Sequence, residues 1–365
     1  MPEQRVFGRP PVHLERILQA IRGRIVAGEF APGEKIPSIR AFEKEYGVSR
    51  VTMQRVITRL SQDGFTSTHV GRGTLVADHP PHRCRYGVVY PARRQQGWTR
   101  YFEALLHAVE TVQTAADGRG FVTYTGIRRE TISDDFDQLT YDVANQRVAG
   151  LLFTTLPFEL HASTVLTTPG IPRVVIGPDA PWRGCNAIAL AMDELERRAL
   201  DYLKAQGKRR VAVICCADAK LNFDDTWERQ QRLIHERGMT TRKYWLQGVN
   251  LHAPAWTKNL VHLLFQRNDA EPPDALLILD DNLVEPVTAG IVDAGLSVPD
   301  DLCVVAHTNY PCPTQAAVPV RRIGFDMVDV VEQACGLIDR QRECPDARPR
   351  AVTVMPWFAD ERDNG

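Results

Sequence analysis

GVSRVTMQRVITRLSQDGF, residues 47–65, sorts into two faces when wound as a helix from Ser49 at about 100° per residue. Met53, Val56, Ile57 and Leu60 fall on one side. Val51, Gln54, Arg55 and Thr58 fall opposite, flanked by Arg50 and Thr52. The apolar stripe requires other elements to cover it, and Ser49 is placed to cap the first turn. The basic face is either solvated or reads something, and the neighbouring sequence decides which.

Upstream, Leu14, Ile17, Leu18, Ile21 and Ile25 recur at helical spacing and Gly28 can end that helix. The turn APGEKIP follows. Ser38 then opens a second helix that closes at Gly47. Downstream, GFTSTHVGRGTLVAD alternates β-prone residues about Gly71-Arg72-Gly73, the composition of a hairpin with a tight tip. Three helices and a hairpin predict a winged helix-turn-helix of α+β type over residues 1–76. Residues 1–80 hold 12 Lys and Arg against 8 Asp and Glu, net +4, while the remainder holds 32 against 37, net −5. A basic excess confined to the small domain points to a polyanion there.

Residues 77–85, ADHPPHRCR, read as a stiff linker. Beyond it the pattern changes. YGVVY, FVTY, VAGLLF, RVVI, RVAVIC, ALLIL and LCVVA alternate with helix-like stretches beginning near residues 100, 133, 193, 224, 255, 283 and 326. Such alternation predicts parallel sheets covered on both faces, divided into two lobes near residues 190–210. The larger domain spans residues 86–358, with 359–365 as a tail.

Several function classes are disfavoured. No apolar run reaches the roughly 18–20 residues of a membrane span, and the amino terminus lacks the apolar core of a secretion signal, so a cytoplasmic location is expected. The eight cysteines are scattered beyond residue 80 with no C-x-x-C pair, so neither metal nor redox chemistry is expected. G-x-S-x-G, P-loop and dinucleotide fingerprints are missing, so an enzyme is not expected and no cofactor is implied.

Residues 12–78 resemble the GntR family of bacterial transcription regulators. APGEKIPSIR (31–40), GVSRVT (47–52), LSQDGF (60–65) and GRGTLV (71–76) carry the likeness in the family's order. The resemblance implies that residues 49–62 enter the major groove of double-stranded DNA and that the wing approaches the minor groove or backbone. Arg50 in the first turn can bridge two acceptors of guanine, Gln54 can address adenine, and Val51 can meet a thymine methyl. Arg40 matches a DNA-contacting family position. Ser49, Thr52 and Arg55 are placed for phosphates, and Arg72 tips the wing. Arg59 reads equally well as a solvated side chain.

Residues 85–358 resemble the effector domain of LacI/GalR-type repressors, which is similar to periplasmic sugar-binding proteins. QRVAGLL, PGIPRVVI, AQGKRRVAVI and AGLSVPDDL are the landmarks. The combined architecture is similar to AraR-type arabinose repressors. The resemblance implies a two-lobed α/β fold with its effector, a small molecule and most simply a carbohydrate, at the carboxyl ends of the strands. Candidates on successive strand ends are Arg93, Trp98, Tyr101, Tyr124, Thr154 and Asp179. In the second lobe they are Asp218, Phe223, Trp227, Arg229, Asp281, Asn282, His307, Thr308 and Asn309, with Arg229 at a family ligand-binding position. Each aromatic in this set reads equally as core. Asp281-Asn282 and His307-Thr308 depart from the family's Asn-Asp and Phe-Asp pairs, so a hydroxyl-binding carboxylate is displaced or lost.

The expected whole is a ligand-controlled repressor that binds a palindromic operator as a homodimer, with cleft closure transmitted through residues 77–85. A regulator whose larger domain only dimerises or binds a protein partner is the alternative.

Overall fold

The computed structural model describes residues 12–362 apart from 116–117, 130–132, 218–222, 252–253 and 266–270. Helices α1 (Val12–Val26), α2 (Ile39–Tyr46) and α3 (Arg50–Gln62) precede a hairpin of β1 (Thr66–His69) and β2 (Gly73–Val76). Ile17, Leu18, Ile21 and Ile25 of α1 pack with Phe42 of α2 and with Met53, Val56, Ile57 and Leu60 of α3. The covered stripe of α3 is the one the helical period picks out. Ser38 and Ser49 cap α2 and α3 through their side-chain oxygens, and Gly47 ends α2 in the left-handed region at φ 64°. A side chain there would be strained, so glycine sets the turn between the two helices.

The segment read as a linker is built in. Pro80 and Pro81 start a single helical turn, α4 (Pro81–Cys84), and the buried His82 ring stacks on Phe65 at 5.6 Å. Proline's fixed φ suits the first helical position, and Phe65 provides the apolar surface.

The larger domain begins with β3 (Arg85–Val89), α5 (Arg100–Ala115), β4 (Gly120–Tyr124), α6 (Asp134–Ala144) and β5 (Gly150–Phe153). Next come α7 (Thr164–Thr167), β6 (Arg173–Ile176), β7 (Asn186–Leu190), α8 (Met192–Ala205), β8 (Val211–Cys216), α9 (Phe223–His235) and β9 (Leu246–Val249). The chain continues through α10 (Pro254–Leu264), β10 (Ala275–Ile278), α11 (Val284–Asp293), β11 (Cys303–Tyr310), β12 (Arg321–Asp326) and α12 (Met327–Glu343). It ends with β13 (Ala351–Val354), β14 (Trp357–Phe358) and α13 (Ala359–Arg362).

Two six-stranded sheets result, in the orders β13-β7-β6-β5-β3-β4 and β14-β12-β11-β10-β8-β9. Every pairing is parallel except that of β12 with β14. The first sheet forms the N-lobe and the second the C-lobe, and the chain crosses between them after β7, β12 and β13. Both sheets are covered by helices, which is why β5 and β10 are buried along their whole lengths. Residues 359–362 of the expected tail instead belong to the C-lobe as α13. Glu361 of α13 takes both of its carboxylate oxygens to Arg198, at 2.6 and 2.7 Å.

Candidate DNA-reading face and effector cleft

At the start of α3 the Ser49 hydroxyl accepts from the Thr52 amide at 3.3 Å and lies 3.0 Å from the Thr52 hydroxyl. These two side chains therefore fix the helix end as well as facing outward. Arg50, Val51, Gln54 and Arg55 are exposed, and so is Arg40 in the first turn of α2. Val51 is 63% exposed although apolar. A side chain so placed gains by meeting a methyl group, as thymine presents in the major groove. Arg72 is exposed at the wing tip between Gly71 and Gly73, whose φ angles are 80° and 90°. Val70 beside it is fully exposed, and the sequence reading passed over it. Arg59 does not join this face. It turns to the N-lobe, where it donates to the Tyr141 hydroxyl at 2.5 Å.

A cavity of about 1170 Å³ opens at the carboxyl ends of the strands between the lobes. Of the residues named from sequence, Arg93, Trp98, Tyr101, Thr154 and Asn282 line it. The polar tips of the three N-lobe residues Trp98, Tyr101 and Thr154 are already engaged. Trp98 Nε1 donates to Glu103 at 2.8 Å, the Tyr101 hydroxyl to the Thr154 carbonyl at 2.9 Å, and Thr154 Oγ1 to the Val89 carbonyl at 3.0 Å. The Trp98 ring is anchored against Tyr90 and Phe102 at 4.9 and 5.5 Å. This N-lobe wall is therefore stiff and presents ring surface more than hydrogen bonds. Arg93, Gln96, Arg128 and Glu159 supply exposed polar groups around it, and Phe158 adds a further ring.

Across the cavity, Asn282 Oδ1 accepts from the Arg100 amide at 2.9 Å, joining the lobes directly. Behind Asn282 lies a buried polar cluster. Asp280 accepts from the Asn282 amide and side chain at 2.9 and 2.8 Å, and Asn309 donates to Asp281 at 2.6 Å. Burial pushes the Asp281 carboxyl up to about 6 and raises that of Asp280. It also drives the His307 imidazole down to about 4. Among the described residues neither His307 ring nitrogen has a hydrogen-bond partner. Removing these groups from water disfavours their charged forms.

Several candidates are not brought to the cavity. Tyr124 is 1% exposed and its hydroxyl donates to Asp142 at 2.7 Å, because the last residue of β4 points into the N-lobe core. Trp227 packs on the C-lobe core. Arg229 is held by Asp193 at 2.9 Å and by Glu196 at 2.5 Å, two carboxylates of α8 that compete for its guanidinium. Asp179 is exposed and does not line the cavity, while Asp281, His307, Thr308 and Asn309 are buried behind the wall. Phe223 is exposed at the start of α9 and is likewise not part of the lining. Asp218 lies outside the described residues. Gln96, Gly126, Ile127, Thr155, Phe158, Glu159 and Leu251 are lining residues that the strand-end rule did not pick out; Leu251 follows β9, a strand the sequence does not announce.

Among the described residues no group of three or more His, Cys, Asp or Glu side chains could hold a metal ion. All eight cysteines are free thiols. No helix among the described residues is long and apolar enough to cross a membrane.

Comparison with known proteins matches both kinds of domain. The family model for bacterial regulatory proteins of the gntR family matches residues 14–76, and that for a periplasmic binding protein-like domain matches residues 200–362. The chain joins a GntR-family DNA-binding domain to a periplasmic-binding-protein-like domain. It is 22% identical over 346 residues to the arabinose metabolism transcriptional repressor of Geobacillus stearothermophilus, covering 90% of each chain. The solved transcriptional regulator CelR–cellobiose complex superposes with a TM-score of 0.58 at 17% identity, covering 96% of this chain and 98% of that one. A LacI family regulator from Lactobacillus casei with bound sucrose gives 0.56 at 19% identity, covering 75% and 97%. At these identities the superpositions establish the two-lobed fold.

Proposed function

We propose that this protein is a bacterial transcriptional repressor that binds palindromic double-stranded operator DNA as a homodimer in the cytoplasm, and that a carbohydrate in the inter-lobe cleft controls it. One observation supports this reading most. A single chain carries an exposed basic helix end, headed by Arg50 and Val51, and a cavity walled by anchored aromatic rings with polar groups at its rim. A polyhydroxylated ring has apolar C–H faces that suit Trp98 and Phe158, and hydroxyls that suit Arg93, Gln96, Arg128 and Glu159. The names of the relatives, an arabinose repressor and sugar-bound regulators, favour the same ligand class.

The dimer has support of its own. Trp256 and Leu263 on α10 and Val292 on α11 are 75%, 66% and 51% exposed, apolar side chains that an interface would remove from water. A two-fold pair of copies would carry two α3 helices, as the two half-sites of a palindrome require. Sedimentation of the wild type against Trp256→Asp tests this, with a shift to monomer expected.

The decisive experiment selects bound duplexes from a random library with the full chain, then titrates the best one with and without a panel of mono- and disaccharides. At least one sugar is expected to change operator affinity by about tenfold, the scale of ordinary allosteric coupling. Specific DNA binding with a flat response to every sugar would favour the rival, in which the larger domain only dimerises or binds a protein.

A further inference from the structure

Resting on that reading of reader and cleft, we infer that helix α6, and not residues 77–85, is the element that couples them. α6 is tied at both ends. At its start the Asp135 carboxylate accepts from both the amide and the hydroxyl of Thr125, at 2.7 and 2.8 Å. Gly126, Ile127 and Arg128, which follow Thr125, line the cleft. At its other end Tyr141, Asn145 and Arg147 meet the reader.

The reader-side contact is built from charged groups withdrawn from water. Arg22 of α1 is 2% exposed and donates to Asp63 at 2.8 Å and to Asn145 at 2.5 Å. Asp63, which caps the end of α3, also lies 3.7 Å from Arg147. The Tyr141 ring has the Arg59 and Arg147 guanidinium groups at 5.5 and 5.4 Å, and its hydroxyl accepts from Arg59. Arg147 reaches back to Asp142 at 3.2 Å, the carboxylate that also holds Tyr124 at the end of β4. Between Asn145 and Arg147 the chain turns through Gln146 at φ 52°, a left-handed conformation that a non-glycine residue rarely adopts. That turn gives both neighbours to the reader.

An eleven-residue helix is about 16 Å long and does not stretch, so a displacement at one end is delivered to the other. The cleft loop and the reader hold opposite ends of this rod. Residues 77–85 hold the reader by a stacked ring and one helical turn, and reach the cleft lining through the length of β3, whose last residue Val89 borders the cavity. Coupling of this kind is reciprocal: what loosens the cleft loop loosens the reader, and the reverse.

Hydrogen exchange on the full chain tests this without any ligand. Asp135→Asn is expected to speed exchange several-fold at residues 125–128 and also in α1 and the last turn of α3. Arg147→Met is expected to speed exchange in those reader segments and also at residues 125–128. Tyr141→Phe, which removes one hydrogen bond and keeps the ring, should give the same pattern in weaker form and serves if Arg147→Met does not fold. Each variant altering only its own end of α6 would overturn the inference. Asp78→Gly, which loosens the exposed start of the 77–85 segment, should leave residues 125–128 unchanged, and a transmitted effect there would assign the coupling to that segment instead. The readout needs no sugar, so failure of the carbohydrate reading leaves this result standing and separately decidable.

Discussion

Arg50 and Arg59 stand at opposite ends of helix α3, alike in chemistry and both on its polar side. Arg50 projects into solvent beside Val51 and Gln54. Arg59 is spent on Tyr141 and lies 3.6 Å from Asp63. What separates them is what lies opposite. The end of α6 arrives against Arg59 from 82 positions along the chain, and nothing described covers Arg50. One helix thus divides its labour lengthwise, with its beginning free for a partner and its end committed to the sensor.

The largest expected effect probes the committed end. Asp63→Ala leaves Arg22 buried without its carboxylate, which should cost about 3–5 kcal/mol in chemical denaturation of the full chain. A loss below about 1 kcal/mol would mean that the seam is solvated and the contrast between the two ends false. At the free end, Arg50→Ala should weaken operator binding by about 1–3 kcal/mol per half-site in fluorescence anisotropy, with stability changed by no more than about 0.5 kcal/mol. Equal losses of stability and affinity would show that the beginning of α3 is structural too.

Of the two ends of α3, acid should act on the committed one, through His82. Burial lowers the His82 imidazole from 6.5 to about 4, so the unfolded chain takes up that proton first. Its stabilisation is intact above pH 6.5 and is lost progressively as pH falls toward 4, by about 2 kcal/mol near pH 5. His82→Phe keeps the stack on Phe65 and should remove that share of the acid sensitivity, measured as the melting temperature against pH relative to wild type. His307 contributes a loss of the same sign in both proteins, so the difference isolates His82. The smallest effect is that of Ser49→Ala, which removes the cap of α3 and should cost about 1 kcal/mol of stability. Operator affinity should fall no further than that cap accounts for, unless the Ser49 hydroxyl also meets a phosphate.

The reader was nearly complete in its sequence because each of its signals is local. Ser38, Gly47 and Ser49 mark helix ends within four residues of the groups they satisfy. The buried strands β5, β8, β10 and β11 were equally plain as apolar runs. β7, β9, β12 and β13 were not, since Asn186 and Arg321-Arg322 open two of them, Gln247 and Thr353 interrupt the others, and their pairing partners come from afar. β13, for instance, aligns Ala351 with Ala187.

The cleft was half legible for a related reason. Strand ends locate the right loops, and five residues named there line the cavity. Which side chains remain available depends on distant partners: Asp142 takes Tyr124, Glu196 takes Arg229, and Tyr141 takes Arg59. No spacing rule encodes such competition between charged groups, because it is decided only once the sheets have brought them together.

The last two strands give the molecule an order of assembly. β13 supplies the edge of the N-lobe sheet and β14 that of the C-lobe sheet, so both lobes wait for residues 351–358. The reader's core, by contrast, is drawn entirely from residues before 80. During synthesis the DNA-binding unit can therefore fold while most of the sensor is still being made. A chain cut before Ala351 would keep the reader's core whole and lose an edge strand from each lobe. Ending both sheets with the same short segment ties the completion of both lobes to translation of residues 351–358.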